Sequence, residues 1–291
     1  MALAAAVSLL AAVLAPEATI EQLTPHEKAA IVVISGLPAP PGVGGVIVRR
    51  WDRHLPRPRG ALVLADQEGG EVRAFPELPP QHSAASYRNA VAAFAAGQDA
   101  GRALRAAGVD VDLAPVLDAP DGPLGTRHFR SQSVGVAFGH GLERGGTAPC
   151  VKHFPGLGSA AQSTDEARVL GRLRPREIRG FRVAAFPCVM VGHAIYPRLG
   201  SRRASLEPAT YRNLRRQGFR GVAITDSLGV LGSPYAPYWA RLALRAGADM
   251  VLYTSARDAR RAIRALVPLA RSGELDEAVR RVLRFRARYL A

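Results

Sequence analysis

The segment ALVLADQEGG, residues 61–70, sets five apolar residues in a row and then turns abruptly polar. A half-buried strand would alternate and an amphipathic helix would repeat every three to four residues. This run does neither, and continuous apolar character over strand length marks a strand buried on both faces. Working outward, the same pattern recurs as AIVVIS (30–35), GVIVR (45–49), DVDLAPVLD (110–118) and PCVKHF (149–154). It returns as CVMVGHA (188–194), GVAITDS (221–227) and DMVLYTS (249–255), which with 61–67 makes eight runs. Ala/Arg/Leu-rich stretches of helical character separate them. Eight buried strands alternating with helices predict an α/β fold, a (β/α)8 TIM-type barrel, with a doubly wound open sheet as the alternative.

Helix signals fit this alternation. Thr24-Pro25-His26-Glu27 reads as a capping box with proline at the first helical position. Residues 89–107 carry an apolar stripe and stop at Gly108, and 206–217 follow Ser205 as N-cap and stop at Gly218. The link between the first two strands is short and rich in Pro and Gly, so one helix of a regular repeat is missing there and the barrel is irregular near its start. No low-complexity linker divides the chain, which predicts one domain over residues 20–291. Residues 1–19 stand apart as an apolar segment. MALAAAVSLLAAVLA (1–15) lacks a basic n-region and is too short to span a bilayer. It reads as a packed N-terminal helix, with a signal-like segment as the alternative, so localisation stays open.

The chain has 291 residues, 48% hydrophobic, and a formal net charge of +15. Nearly all the basic charge is arginine, in clusters whose spacing places it on solvated helix faces. No nucleic-acid-binding motif accompanies it, so no specific nucleic-acid partner is expected, whereas an anionic envelope polymer suits such a surface. Cys150 and Cys188 are too few for a disulfide framework and lie in no C-x-x-C pair, so both read as buried thiols on strands. No cluster has metal-ligand spacing, and neither a metal nor another cofactor is expected.

Polar residues gather at the C-terminal ends of the strands: Asp66, Asp118, Lys152-His153, His193 and Asp226. In a barrel these ends converge on one mouth, the face where sites of this fold are built. Lys152 stands out because the chain otherwise chooses arginine, Lys28 being the one other lysine. A compact ammonium fits between hydroxyls where a planar guanidinium does not.

Together these motifs resemble glycoside hydrolase family 3, in particular its single-barrel β-N-acetylhexosaminidase branch. ADQEGGEV (65–72), DVDLAPVLD, RHF (127–129), KHFPGLG (152–158), VMVGHAIYP, ITDSL (224–228) and AGADMVL (246–252) follow the family's order. The resemblance implies that Asp66, Arg127, Lys152 and His153, with His193, bind the sugar, and that Asp226 stands at the nucleophile's position. It also exposes departures. Leu157 replaces a histidine of the family's loop, Glu71 replaces a usual arginine, and Thr164-Asp165-Glu166-Ala167 stands where the family carries Asp-Ser-His. Asp165 or Glu166 is therefore the candidate proton donor, provided burial raises its pKa. The expected function is a retaining exo-β-glycosidase, β-N-acetylhexosaminidase-like, acting on cell-wall-derived or small glycosides. The alternative is a sugar-binding barrel that has lost proton transfer.

Overall fold

The computed structural model describes residues 20–290, so the expectations for 1–19 lie outside the described residues. Eight parallel strands close into a barrel: β1 (Val33–Ser35), β2 (Gly45–Val48), β3 (Leu62–Ala65), β6 (Val111–Asp112), β7 (Ala148–Phe154), β8 (Cys188–Val191), β9 (Val222–Ser227) and β10 (Met250–Tyr253). Closure between β1 and β10 (Val33 against Val251) rules out the open sheet. A small hairpin, β4 (Gln67–Gly69) and β5 (Val72–Arg73), projects from the end of β3. The first four strands of the barrel proper are buried at every residue, the polar Ser35 and Asp112 included.

Around the barrel run α1 (Pro25–Ile31), α2 (Ala90–Ala106), α3 (Gln132–Arg144), α4 (Pro175–Gly180), α5 (Pro208–Arg216), α6 (Ala236–Ala246), α7 (Ala256–Arg271) and α8 (Asp276–Tyr289). The capping box at Thr24 and Glu27 forms in both directions. Helices α2 and α3 approach through Gly97, Gly101, Gly141 and Gly145. A Cβ on Gly97 would stand 2.2 Å from the Phe138 carbonyl oxygen, so this contact requires glycine.

Four expectations need correction. The link from β2 to β3 lacks a helix as well as the link from β1 to β2. The run 110–118 is not one strand: β6 ends at Asp112, and only an isolated bridge from Val116 to Lys152 resumes the pairing beyond Pro115, which has no N–H to offer. The helix expected over 206–217 begins at Pro208, with Glu207 as N-cap; Ser205 lies in a preceding 3₁₀ turn and uses its hydroxyl on His193. Finally, Cys150 and Cys188 are buried but are not free thiols. Strands β7 and β8 pair them directly, with Cα atoms 4.4 Å apart, and they form a disulfide.

The N-terminal rim has a recurrent device. Gly108 and Gly247, both at positive φ, end helices α2 and α6, and two residues later Asp110 and Asp249 open the next strands. Each aspartate accepts the N–H of the neighbouring strand, Val63 and Ala223 respectively, and each also meets arginine. These contacts hold the bottom of the barrel while the opposite rim is left to loops.

Candidate active site

The C-terminal rim carries a chain of alternating charge. Asp66 follows β3, Glu68 lies in β4, Lys152 lies near the end of β7, and Arg127 closes a 3₁₀ turn. Lys152 Nζ stands 2.6 Å from Asp66 Oδ1 and 2.6 Å from Glu68 Oε1. Arg127 donates to both Glu68 oxygens, from Nε and one terminal nitrogen, at 2.8 Å each. The side chains of Lys152 and Glu68 are 3% accessible and that of Asp66 is 37%, so a neutralised base presents one carboxylate to the mouth. Burial alone would raise the Glu68 pKa, but Lys152 and then Arg127 bring it to about 2. Lys152 shows the converse: burial would lower it, and Asp66 and Glu68 hold it well above the ordinary lysine value. Removing any one member would strand a buried charge.

His153 is oriented from behind. Its Nδ1 lies 2.7 Å from Asp118 Oδ2, which also accepts the His153 backbone N–H at 3.2 Å, and Asp118 Oδ1 accepts from Leu157 N at 2.7 Å. A carboxylate at Nδ1 fixes the proton there and leaves Nε2 without a protein partner among the described residues.

Asp226 is the penultimate residue of β9, half-buried, and accepts the Ser227 N–H at 2.7 Å. Burial pushes its pKa up, but His193, His153, the Ser227 N–H and Lys152 together hold it below the ordinary aspartate value. His193 is fully buried, with Nδ1 2.7 Å from Ser205 Oγ and Nε2 3.0 Å from the Ser227 carbonyl. Both ring nitrogens are thus engaged by protein. Burial lowers the His193 pKa, against the Asp226 charge and the Ser227 carbonyl, which both raise it. His193 stands beneath Asp226 as a support.

Asp165 hangs from the loop after β7. Its tip reaches solvent, yet lost hydration first and the Asp226 charge second raise its pKa, against His153, His193 and Arg127. Its neighbours in that balance are the residues of the mouth. Glu166 is exposed like Asp165, with its backbone N–H on Ser163 O. The mouth therefore brings together Asp66, Arg127, Lys152, His153 and Asp226, with His193 behind Ser227 and Asp165 on the adjoining loop near enough to feel their charges.

Three acids have roles that the sequence does not reveal. Glu68 was visible in DQEGG but reads as a loop acid until Lys152 and Arg127 are seen around it. Asp118 was noted at a strand end, without its role on His153. Asp112 is fully buried, accepts Gln67 N–H at 2.9 Å, and leaves Oδ2 without a partner. Burial, with Asp66 and Glu68 nearby, raises its pKa to about 8 despite Gln67 and Lys152, which favours its neutral form.

Residues 49–285 match the model of the glycosyl hydrolase family 3 N-terminal domain. The β-hexosaminidase of Stenotrophomonas maltophilia strain R551-3 is 33% identical over 225 residues, 67% of either chain. Among solved structures, a family 3 glycosyl hydrolase from Mycobacterium smegmatis superposes with TM-score 0.81 at 29% identity, covering 94% of this chain and 98% of that one. A β-N-acetylglucosaminidase from Paenibacillus sp. FPU-7 also gives 0.81, at 26% identity over 92% of this chain and 63% of its own. With the mouth chemistry already in place, these likenesses settle the family: the chain belongs to glycosyl hydrolase family 3 and is a β-N-acetylhexosaminidase-like glycoside hydrolase.

Proposed function

We propose that the chain is a retaining exo-acting β-N-acetylhexosaminidase in which Asp226 is the nucleophile and Asp165 the acid/base. The observation that carries this reading is the opposed state of two acids at one mouth, Asp226 lowered and Asp165 raised. Paired titratable groups whose environments push them apart are how acid and base roles are divided. An Asp226 oxygen attacks the anomeric carbon while Asp165 gives its proton to the departing glycosidic oxygen. A glycosyl ester of Asp226 and a free alcohol result. Water then attacks the same carbon, Asp165 takes its proton, and the ester bond to Asp226 breaks, which restores both acids.

Asp66, with its accessible carboxylate, and His153 Nε2 are suited to hydroxyls of the bound sugar, and Lys152 and Arg127 hold Asp66 and Glu68 in register. Glu166, adjacent on the same exposed loop, is the second candidate for proton transfer. The net charge of +15 favours an anionic envelope polymer as the source of the sugar, through attraction that salt weakens. An aryl β-N-acetylglucosaminide and an aryl β-glucoside, offered to wild type and Asp226→Asn, test the reading. Wild type is expected to release phenol from the first and Asp226→Asn to release none. Saturable sugar binding without turnover by wild type would instead favour a barrel that binds and does not cleave.

A further inference from the structure

The loop that carries Asp165 leaves β7 at Phe154 and ends where α4 begins at Pro175. Glu177, in the first turn of α4, is 4% exposed and plays no part in the mouth itself. Its Oε1 accepts Gly158 N–H at 2.8 Å and Ala119 N–H at 2.9 Å. The residue thus belongs by backbone to the far end of the loop and grips the near end by side chain, together with the segment that follows Asp118. Packing here is close enough to demand glycine. A Cβ on Gly156 would stand 2.4 Å from the Glu177 carboxyl carbon, and one on Gly158 would stand 2.8 Å from Oε1. Gln132 Nε2 anchors α4 in turn, donating to Glu177 O at 2.8 Å and to Leu117 O at 2.6 Å.

A second tie lies one residue further in. Ser159 Oγ accepts Arg172 N–H at 2.6 Å and donates to Arg172 O at 2.9 Å, so the ends of the 159–172 excursion are pinned together. Tyr196 fixes the turn below by donating to Gly156 O at 2.6 Å. Between those ties the returning arm pairs with Ile195, whose N–H donates to Val169 O at 2.9 Å and whose carbonyl accepts Gly171 N–H at 2.8 Å, and Thr164 is buried beside Asp165. Asp165 itself is exposed, its N–H meeting Ser163 Oγ at 3.3 Å, so its position depends on how the base of the loop is held.

We propose that Glu177 is a positioning residue for the proton donor: with Ser159 it forms a clasp at the base of the 159–172 loop that sets where Asp165 stands over the mouth. The inference rests on the acid/base assignment of Asp165, and its test separates the two. A buried carboxylate that receives two backbone N–H groups is strongly held, and its loss leaves both donors unmatched.

The experiment measures kcat/KM for a series of aryl β-N-acetylglucosaminides, from dinitrophenyl to unsubstituted phenyl, on wild type, Glu177→Ala, Glu177→Gln and Ser159→Ala. An activated phenol departs with little protonation, so a displaced acid is felt mainly by the poor leaving groups. Glu177→Ala is expected to lose at least about tenfold on the phenyl glycoside and little on the dinitrophenyl one, within the range a general acid supplies. Glu177→Gln, whose amide oxygen still accepts both N–H groups, is expected to recover most of that loss. Equal loss across the series, or none, overturns the clasp. Amide hydrogen exchange over 159–172 gives a readout independent of catalysis and of the role of Asp165. Exchange is expected to be faster in Glu177→Ala and, by less, in Ser159→Ala, and unchanged exchange in both overturns the proposal even if no glycoside is turned over.

Discussion

At the N-terminal rim Asp249 is surrounded by donors: Arg281 and Arg215 at 2.5 Å each and the Ala223 N–H at 2.7 Å. At the C-terminal rim Asp226, on the strand next to it in the barrel, receives one N–H, from Ser227 at 2.7 Å, and otherwise feels His193, His153 and Lys152 through space. Both carboxylates stand at strand ends. The lower one has both oxygens occupied and serves as a strut. The upper one is held low by neighbouring side chains and a single N–H, which leaves an oxygen available for a carbon centre. Saturation with donors makes an acid structural, and stabilisation at a distance makes it reactive.

Exchanging the two losses is the sharpest way to break this contrast. Asp226→Asn is expected to lower kcat by about 10⁴-fold or more, as removal of a nucleophile does, with an unchanged denaturation midpoint. Asp249→Ala is expected to do the reverse, costing about 3–5 kcal/mol in denaturant titrations because Arg215 and Arg281 are left facing a void, with turnover per folded molecule intact. Equal activity losses in the two variants would show that the rims are not functionally separate.

A smaller effect sharpens the upper rim. Asp226 works ionised, so kcat/KM rises as pH passes its lowered pKa. Asp165 works protonated, so kcat/KM falls as pH passes its raised pKa. The profile should be a bell with its acid limb below the ordinary aspartate value and its alkaline limb above it. Asp165→Asn is expected to erase the alkaline limb and cost about 100-fold on unactivated glycosides. An alkaline limb that survives this change would take Asp165 out of the role.

The smallest effect concerns Asp112, which sits between the two regimes, buried like Asp249 but short of donors. Its pKa is about 8 in the folded chain against an ordinary value of 3.8. The folded chain therefore holds a proton that the unfolded chain has released between those values, and stability falls as pH rises through that window. Asp112→Asn keeps an oxygen for Gln67 N–H and cannot ionise. It should flatten the decline by about 1 kcal/mol per pH unit, read from denaturation midpoints between pH 5 and about pH 8. A wild-type curve already flat over that range would show that Asp112 is ionised.

The strand order and the mouth were legible because both depend on local pattern. Runs such as 61–65 and 222–225 can only be strands buried on both faces, and whatever polar residue ends them must sit on one rim. Where a long-range contact decides, the sequence was silent. Whether Cys150 meets Cys188 depends on the register between β7 and β8, which no composition reveals. Ser205 looked like a helix cap because a hydroxyl before a helix usually is one, but His193 claims it. Asp165 and Glu166 are neighbours on an exposed loop, and only the path of that loop brings Asp165 within range of the Asp226 charge. Glu68 and Glu177 gave no signal of their own, since an acid's importance here comes from donors 19 to 84 residues away.

The disulfide has a consequence for the floor of the pocket. Cys150 lies two residues before Lys152, and both cysteines are essentially inaccessible, at 0% and 1%. Thiol exchange needs a nucleophile to reach a sulfur atom, so soluble reductants must wait for the barrel wall to open. Once β7 and β8 are stapled, the seat of the ammonium should stay indifferent to the thiol content of its surroundings for as long as the chain stays folded.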